Sequence, residues 1–553
     1  MSANDAPLAV AIDELQVPLG PLLNGPRQGL DQHLHEPIAR LLGIAADDVL
    51  GYDLERRSID ARRKPDLIMC YRLHARVRPG AVVRESTGVR VATPPPNPAE
   101  ALYHLPLSDQ RPRQVVIVGT GPAGIMAAYL LALHGTQVLV LDRGYDVDRR
   151  HEHIETFHRD RILNPDSNYL YGEGGAGTYS DGKLYTRVKD RRMRFLLEAF
   201  VAARAPRHIL WHHHPHIGSD ILPHMARRLR QKIEEWGGSF RWGVEVSDIL
   251  VEGGRCRGVR CADGSTIESD VTLIAPGHSA RDLLRRLIAH NLEIKAKGFQ
   301  LGCRVEHPQD IIDQGRYGVS LPRWLGGAAE YNLVSRPPPR SGIASTTTFC
   351  MCPGGEIIAA TSDHGHLSTN GMSEHGRGSG MANAGLIVNQ PIDRSLPAHE
   401  AALAGFALID QLEAAAFQAG GGDYSCPAQT TTAFLRAEAG KPVERSSYRL
   451  GVVPGRIDRL LPTATSEALR AALRHYDKQV PGFARHGHLV GLETRVSSPL
   501  RFERRPDTLE STLSGLYLAG EGAGYAGGIV SAGLDGLRLA ETMLTGVPQR
   551  REK

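Results

Sequence analysis

Apolar residues near the N-terminus follow two different rhythms. In DQHLHEPIARLLGI, Leu34, Ile38, Leu41 and Leu42 recur at helical spacing and predict one buried helix face. Leu67, Met69, Tyr71, Leu73, Ala75 and Val77 alternate with polar or mixed positions, which predicts a half-buried strand. One helix on a small sheet, an αβ unit over residues 1–78, is the expected result. Between these elements ERRSIDARRK reads as a basic loop facing water. Residues 79–113 are polar and carry Pro94, Pro95, Pro96 and Pro98, the composition of a linker. Apolar density then rises: Val115 to Val118 form a continuous run, an amphipathic helical pattern follows, and Val138 to Leu141 form a second run. From Phe240 to Gly277 the chain alternates between GG and DG turn signals, predicting a strand meander that returns to the main sheet at Leu273. Residues 293–494 predict an inserted body of mixed sheet and helix. The chain then returns, over 495–553, to a short strand ending at Ala519 and a helix starting near Gly528.

Composition narrows the possibilities only modestly. The 553 residues are 41% apolar and 23% charged, which is ordinary for a globular chain and excludes disorder overall. Net charge is +4 from 65 basic and 61 acidic residues, too balanced to argue for nucleic acid as the partner. The start MSANDAPLAVAIDEL lacks a basic segment followed by a long apolar one, and no window reaches the length of a bilayer-spanning helix, so neither export nor a membrane is expected. Seven scattered cysteines fit reduced thiols in a cytoplasmic protein rather than a disulfide framework.

The chemistry begins at QVVIVGTGPAGIMAAYLLALHGTQVLVLDRG. Strand, Gly119-x-Gly121-x-x-Gly124, helix, strand and Asp142 occur in order and at the spacing of a dinucleotide-binding unit. The first glycine permits the tight turn, the second lets pyrophosphate approach the backbone, and the third lets helix and strand pack closely. Pro122 and Ala123 open the helix whose N–H groups meet the phosphates, and Asp142, with Arg143 beside it, stands where ribose hydroxyls are bound. The far end of the chain favours FAD over NAD. LYLAGEGAGYAGGIVSAGLDGLRLAE holds a second glycine turn and helix start, which the longer FAD needs and NAD does not. Glu521, after Gly520, is placed to bind a ribityl hydroxyl, and the helix start at Gly528, Ile529 and Ser531 to face the flavin ring with its positive dipole end. Val246 is the expected backbone contact for adenine.

These stretches, with GEGGAGTYSDGKLYTR, PHIGSD, PGHSARD, GCRVEHPQDIID, FCMCPGGEII, NGMS and GLETRVSSPLR, resemble the glutathione-reductase-like FAD superfamily. Within it they resemble a family of bacterial FAD-dependent dehydrogenases, over nearly everything from Gln114 onward, and RRSIDARRKPDL is similar to that family's small leading domain. The resemblance implies an α/β fold: an FAD-binding Rossmann-like domain over 114–292 and 495–553, an inserted α+β substrate domain over 293–494 and the small N-terminal αβ domain. It also implies that Gly175, Ala176, Gly177, Thr178, Ser180 and Asp181 pass along the FAD, with Lys183 near the flavin N5 or holding a phosphate or carboxylate, and that Gly277 is a further contact. Pro276 departs from the usual apolar residue there.

Two clusters remain. WHHHPHIGSD gathers His212, His213, His214 and His216, but adjacent histidines alternate sides and no Cys or carboxylate spacing completes a set, so no metal is expected. Cys350 and Cys352 in FCMCPGG point to one face of a strand, as small buried hydrophobes or as thiols that exchange electrons with a flavin. Together with Lys183 they are the candidate catalytic residues. The expected function is an FAD-dependent oxidoreductase passing hydride between an organic small molecule and the flavin. A flavin monooxygenase, a non-catalytic protein of the same fold and an RNA-modifying flavoenzyme are the alternatives, the last resting only on the basic stretch at Arg56 and Arg57. No second strand-GxGxxG-helix unit occurs, so NAD(P)H or another electron donor or acceptor is expected to dock transiently.

Overall fold

The computed structural model describes residues 6–20, 34–92, 96–186, 188–322 and 327–547; Pro94 and Pro95 lie outside them. The N-terminal unit is a four-stranded antiparallel sheet in the order Val49–Asp60, Ile68–Val77, Leu8–Pro18, Val89–Val91, with helix His35–Leu42 packed on it. The alternation of Met69, Tyr71, Leu73, Ala75 and Val77 turns one strand face into a core with Ile12, Ile38 and Leu42. Two stretches differ from the sequence reading. Glu55 to Asp60 of the basic stretch continue a strand, with Arg57 opposite Tyr71. This is an edge strand, where charged side chains discourage pairing with other chains without costing burial. Val89–Val91, within the expected linker, pairs with Val10–Ile12 and buries Val89, and helix Glu100–Tyr103 buries Leu102 in the next core.

The second body is a five-stranded parallel sheet in the order Leu516–Leu518, Val271–Ile274, Gln114–Val118, Gln137–Asp142, Ser239–Trp242. Val115 and Ile117 face helices Pro122–Leu133 and Ile529–Thr545, whereas Val116 and Val118 face the antiparallel meander Val246–Glu252, Arg255–Cys261, Thr266–Glu268. A continuous apolar run is what a strand covered on both faces requires. Helix Pro122–Leu133 is buried from Ala123 to Ala132 and so is not amphipathic, because it lies between the sheet and other helices. Its contact with the last helix is close: a Cβ on Gly536 would stand 2.0 Å from the Ala123 carbonyl oxygen.

Residues 299–493 contain a seven-stranded mixed sheet in the order Val334–Ser335, Thr346–Cys352, Met381–Gln390, Phe299–Pro308, His488–Glu493, Cys426–Thr430, Val452–Pro454. Ile409, Leu412 and Ala416 of helix Ala398–Ala419 and Leu469, Ala472 and Leu473 of helix Thr463–Gln479 pack into its core. One long segment, from Gly172 to Lys183, connects this sheet to the glycine turn after Val118.

Candidate functional site

Two of the three motif glycines are required by the protein's own packing. Gly119 has φ 101°, and a Cβ on it would stand 2.3 Å from the Ala275 carbonyl oxygen; one on Gly124 would stand 1.9 Å from the Gly119 oxygen. Gly121 is different. Its φ of −62° suits any residue, and a Cβ there would meet nothing nearer than the Gly175 Cα at 4.0 Å. The protein's own packing does not require a glycine at this position. Helix Pro122–Leu133 starts there with no side chain capping it, so the positive end of its dipole meets the space beside Gly121.

Two more glycine turns converge on it. A Cβ on Gly175 would stand 2.8 Å from Gly121 Cα, and one on Gly177 would stand 3.0 Å from Ile529 Cγ1. Next to these turns lies a narrow, mostly apolar recess lined by Pro122, Gly177, Thr178, Leu222, Met225 and Ile529 among others. Ala176 is exposed on the same turn. Helix Ile529–Thr545 starts after Gly528 at φ 86°, again with no side-chain cap, since the Ser531 hydroxyl bonds back to the carbonyls of Gly527 and Gly528. Gly520 donates to Asp535, and Glu521 accepts the Ser498 N–H at 3.0 Å with Lys297 Nζ 3.9 Å away. Burial raises the Glu521 pKa, and Lys297 opposes this. Gly277, φ 72°, has open space at its Cβ position, and its carbonyl oxygen lies 2.6 Å from where a Gly522 Cβ would be.

The remaining predicted cofactor residues separate into two sets. Asp142 is buried and braces the turn, accepting from the Thr120 N–H at 2.9 Å and the Gly144 N–H at 2.8 Å. Arg143 pairs with Asp166 and Glu245 and lies 4.5 Å over the Tyr171 ring, and buried Val246 opens the adjoining strand. Thr178 and Ser180 spend their hydroxyls on the loop, on Glu173 O at 3.0 Å and Gly177 O at 2.8 Å. Asp181 and Lys183 turn the other way, toward the seven-stranded sheet. Asp181 accepts from Ser373 and, at 3.3 Å, from Arg377, and lies 3.4 Å from Lys183 Nζ. Burial works against its charge, yet Lys183 and Arg377 together lower its pKa. Lys183 Nζ is buried with no hydrogen-bond partner; burial disfavours its charge, but Asp181 and Glu330 raise its pKa.

The Lys183 charge acts through space on Cys350 and Cys352, at the end of strand Thr346–Cys352. Beside them Arg304, wholly buried in strand Phe299–Pro308, donates to Cys350 O at 2.8 Å, to Asn383 Oδ1 at 2.7 Å and to both Glu493 oxygens at 2.9 and 3.0 Å. Burial pushes the Glu493 carboxyl up to about 7 against the pull of Arg304. Arg304 and Glu493 were not singled out from sequence. The signal was available: each is a charge inside a run too apolar to face water, LGCRVEH and LVGLETR, and opposite buried charges require each other.

A second buried network joins the two larger bodies. Glu413 accepts from Arg281 at 2.8 Å and from Arg495 at 2.8 and 3.0 Å, and both arginines reach Asp363. Beside it, His278, Ser279 and Ser498 line a small recess, and each keeps a buried polar atom without a hydrogen-bond partner. The histidine segment packs on itself: His213 stacks on His214, and His216 on His375. Among the described residues no group of three His, Cys, Asp or Glu side chains is arranged to hold a metal ion.

A family of FAD-dependent proteins, described as "FAD-dependent protein, C-terminal domain-like", matches residues 298–496; an FAD binding domain matches 113–167 and a domain of unknown function matches 15–76. An uncharacterized protein of Clostridium beijerinckii is 34% identical over 532 residues, 92% of this chain and 95% of its own. A D-amino acid dehydrogenase of Xanthobacter autotrophicus is 29% identical over 25% of this chain and 35% of its own, and Protein FixC of Escherichia coli O157:H7 is 25% identical over 37% and 47%. The matched FAD binding segment contains the Gly121 cradle and the matched C-terminal segment contains Arg304, Cys350, Cys352 and Glu493, so the chain belongs to a bacterial family of FAD-dependent oxidoreductases.

Proposed function

We propose that this FAD-dependent enzyme passes hydride between a small organic substrate and its flavin, where the Gly172–Lys183 segment meets the seven-stranded sheet. The observation that carries the reading is Gly121: an ordinary backbone, an uncapped helix start and nothing nearer to the missing Cβ than the Gly175 Cα at 4.0 Å. In this reading the turn Gly119–Gly124 holds the pyrophosphate, Asp142 and Arg143 lie at the ribose, Val246 at the adenine, and Gly175–Thr178, Gly277, Glu521 and Gly528–Ser531 along the remainder. Bound FAD supplies a reversible two-electron acceptor. The protein supplies position and charge. The uncapped start of helix Ile529–Thr545 would, in this reading, lie at the ring, where its positive dipole end would favour extra negative charge. Lys183, Arg304 and Glu493 place a cation and a carboxyl of pKa about 7 in a water-poor junction, able to hold and release a proton near neutrality.

Acid extraction of the purified yellow protein tests the cofactor, with FAD expected. Anaerobic absorbance during stepwise addition of candidate organic substrates, NADH and NADPH tests the reaction. An organic substrate is expected to bleach the flavin and an added acceptor to restore it. Release of FMN overturns the cofactor placement, and oxygen incorporation into substrate on readmitting air turns the reading toward a monooxygenase.

A further inference from the structure

The histidine segment and the end of the glycine-rich one lie side by side. Lys183 pairs with His216 across an antiparallel bridge, with Leu184 N–H donating to Pro215 O at 2.9 Å and Ile217 N–H to Gly182 O at 3.1 Å. Those bonds flank the pair instead of joining it, the register that brings two opposite side chains closest. Residues 373–377 close on them: Ser219 N–H donates to Ser373 O at 2.9 Å, His375 N–H to Asp220 Oδ1 at 2.7 Å, and the His216 ring stacks on His375 at 5.2 Å. Arg377 has φ 50°, uncommon for a residue with a side chain, and its carbonyl oxygen stands 1.8 Å from where a Gly354 Cβ would be. Arg377 Nη2 lies 3.3 Å and Lys183 Nζ 3.4 Å from the same oxygen of buried Asp181. Three buried atoms of this cluster have no hydrogen-bond partner: Lys183 Nζ, Arg377 Nε and His216 Nδ1. Arg377 spends its Nη2 on Asp181 and, at 2.6 Å, on Glu330. His216 Nε2 faces His375 O at 3.1 Å, and because a carbonyl only accepts, that nitrogen carries the proton. Burial, then Arg377, lower the ring's pKa to about 4, so it is neutral and Nδ1 is an acceptor. Two donors and one acceptor are thus unmatched in one place, and each buried polar group left so costs about 1–3 kcal/mol.

We propose that Lys183, Arg377 and His216 bind the substrate, and that the substrate is a small 2-hydroxy carboxylic acid: its carboxylate accepts from Lys183 Nζ and from Arg377 Nε–H, and its hydroxyl donates to His216 Nδ1. The proposal rests on the FAD oxidoreductase reading above and gives it a substrate class. The ligand's pattern is the complement of the site's. A carboxylate brings two acceptor oxygens to the two unused donors, and planar recognition of that kind is what a guanidinium edge is suited to. A hydroxyl on the neighbouring carbon brings the one donor that the histidine lacks. An ammonium in its place would look for a carboxylate, but Asp181 is engaged by Ser373, Arg377 and Lys183, and Glu330 by Arg377 with His214 3.6 Å away. Asp181 and Glu330 also balance the charges of Lys183 and Arg377. The acid is therefore held through hydrogen bonds more than through net charge, which sets a modest affinity with little dependence on salt. Lys183 stands six residues beyond Gly177, so the site adjoins the turn that the FAD reading places along the cofactor.

The test titrates the holoenzyme in a calorimeter with glycolate, acetate, glycine, methyl glycolate and inorganic phosphate. Glycolate is expected to bind with a dissociation constant in the millimolar range, acetate about tenfold more weakly for want of one hydrogen bond, and the other three more weakly than acetate. His216→Phe is expected to bring glycolate down to the acetate value and to leave acetate unchanged, a split that a merely structural role would not produce. Lys183→Met and Arg377→Met are expected to weaken both acids at least about tenfold, with thermal midpoint and FAD content read alongside. Arg377→Lys, which keeps the charge and loses the Nε–H, carries the test if the methionine variants do not fold. Equal binding of glycolate and acetate, tighter binding of glycine, methyl glycolate or phosphate than of glycolate, or affinities unmoved by the variants overturn the proposal. So does the absence of glycolate binding up to about 100 mM. With FAD still bound, any of these results leaves the flavin reading standing. Protein purified without FAD overturns the flavin reading instead, while the titrations still report on the site.

Discussion

At the scale of single residues the three motif glycines look equivalent in the sequence and are not equivalent in the fold. Gly124 is there because the Gly119 carbonyl is 1.9 Å from where a Cβ would go; at Gly121 nothing of the protein crowds that position, and the proposed pyrophosphate would use the space. Gly121→Val is accordingly expected to lose FAD, read as the ratio of flavin to protein absorbance, while the circular dichroism of the protein is unchanged. Gly124→Val forces helix and strand apart, and overpacking of this kind costs about 1–3 kcal/mol or more. It is expected to lower the thermal midpoint of the apoprotein as well as flavin content. If both variants lose stability equally, the distinction between packing glycine and cradle glycine fails. Other residues show where reading by type alone runs out. Ser180, Asp181 and Lys183 carry polar groups suited to a cofactor, but the Ser180 hydroxyl closes its own loop and the other two reach the opposite sheet. Nothing in the spacing of GEGGAGTYSDGK marks that difference, because it is set by partners far along the chain such as Ser373 and Arg377.

At the scale of elements, patterns set by a buried face were legible and patterns set by an edge or by charge were not. Val115 to Val118 and the alternation from Met69 to Val77 fall where the apolar rhythm puts them, since burial imposes the rhythm. Residues 55–60 read as a loop because an edge strand can carry charges on every position that faces water. Helix Ala398–Ala419 shows the same limit in its one buried acid. Glu413 is completely buried between Arg281 and Arg495, so Glu413→Gln leaves two arginines underpaired and is expected to cost about 3–5 kcal/mol. Burial works against the Glu413 charge, but Arg495 and Arg281 prevail and hold its carboxyl well below the usual range. A depressed carboxylate pKa contributes stability that is fully present above the unfolded value of about 4.3 and is lost as pH falls toward the folded value. The gap in urea midpoint between wild type and Glu413→Gln is therefore expected to be full at pH 7 and to narrow below pH about 4. A gap independent of pH would mean that shape, not charge, makes the joint.

At the scale of the whole molecule the bodies are tied together by contacts at several places. The edge strand of the N-terminal sheet runs onto the histidine segment, where Arg57 N–H donates to Trp211 O and Arg57 O accepts from His213 N–H, and Lys64 reaches Gly315 O at 2.6 Å. The glycine-rich segment reaches from the turn beside Gly121 to Ser373 and Arg377, in the connection leading to strand Met381–Gln390, through Asp181. Among the described residues only the unit at Gln114–Asp142 has a parallel strand, a glycine turn and a helix arranged to hold a dinucleotide; the seven-stranded sheet has mixed pairing and no such turn. With FAD in this one dinucleotide site, as proposed, a nicotinamide nucleotide is left without the helix start and phosphate cradle that give such ligands most of their affinity. Calorimetric titration of the oxidised holoenzyme with NADH or NADPH is expected to give dissociation constants above about 100 μM, equivalent to less than about 5.5 kcal/mol of binding. Reduction by either nucleotide is then expected to rise linearly with its concentration through the millimolar range, as in a transient encounter. Saturation in the low micromolar range would place a second nucleotide site in the junction between the sheets. It would also make NAD(P)H, rather than an organic reductant, the partner that this surface is shaped to receive.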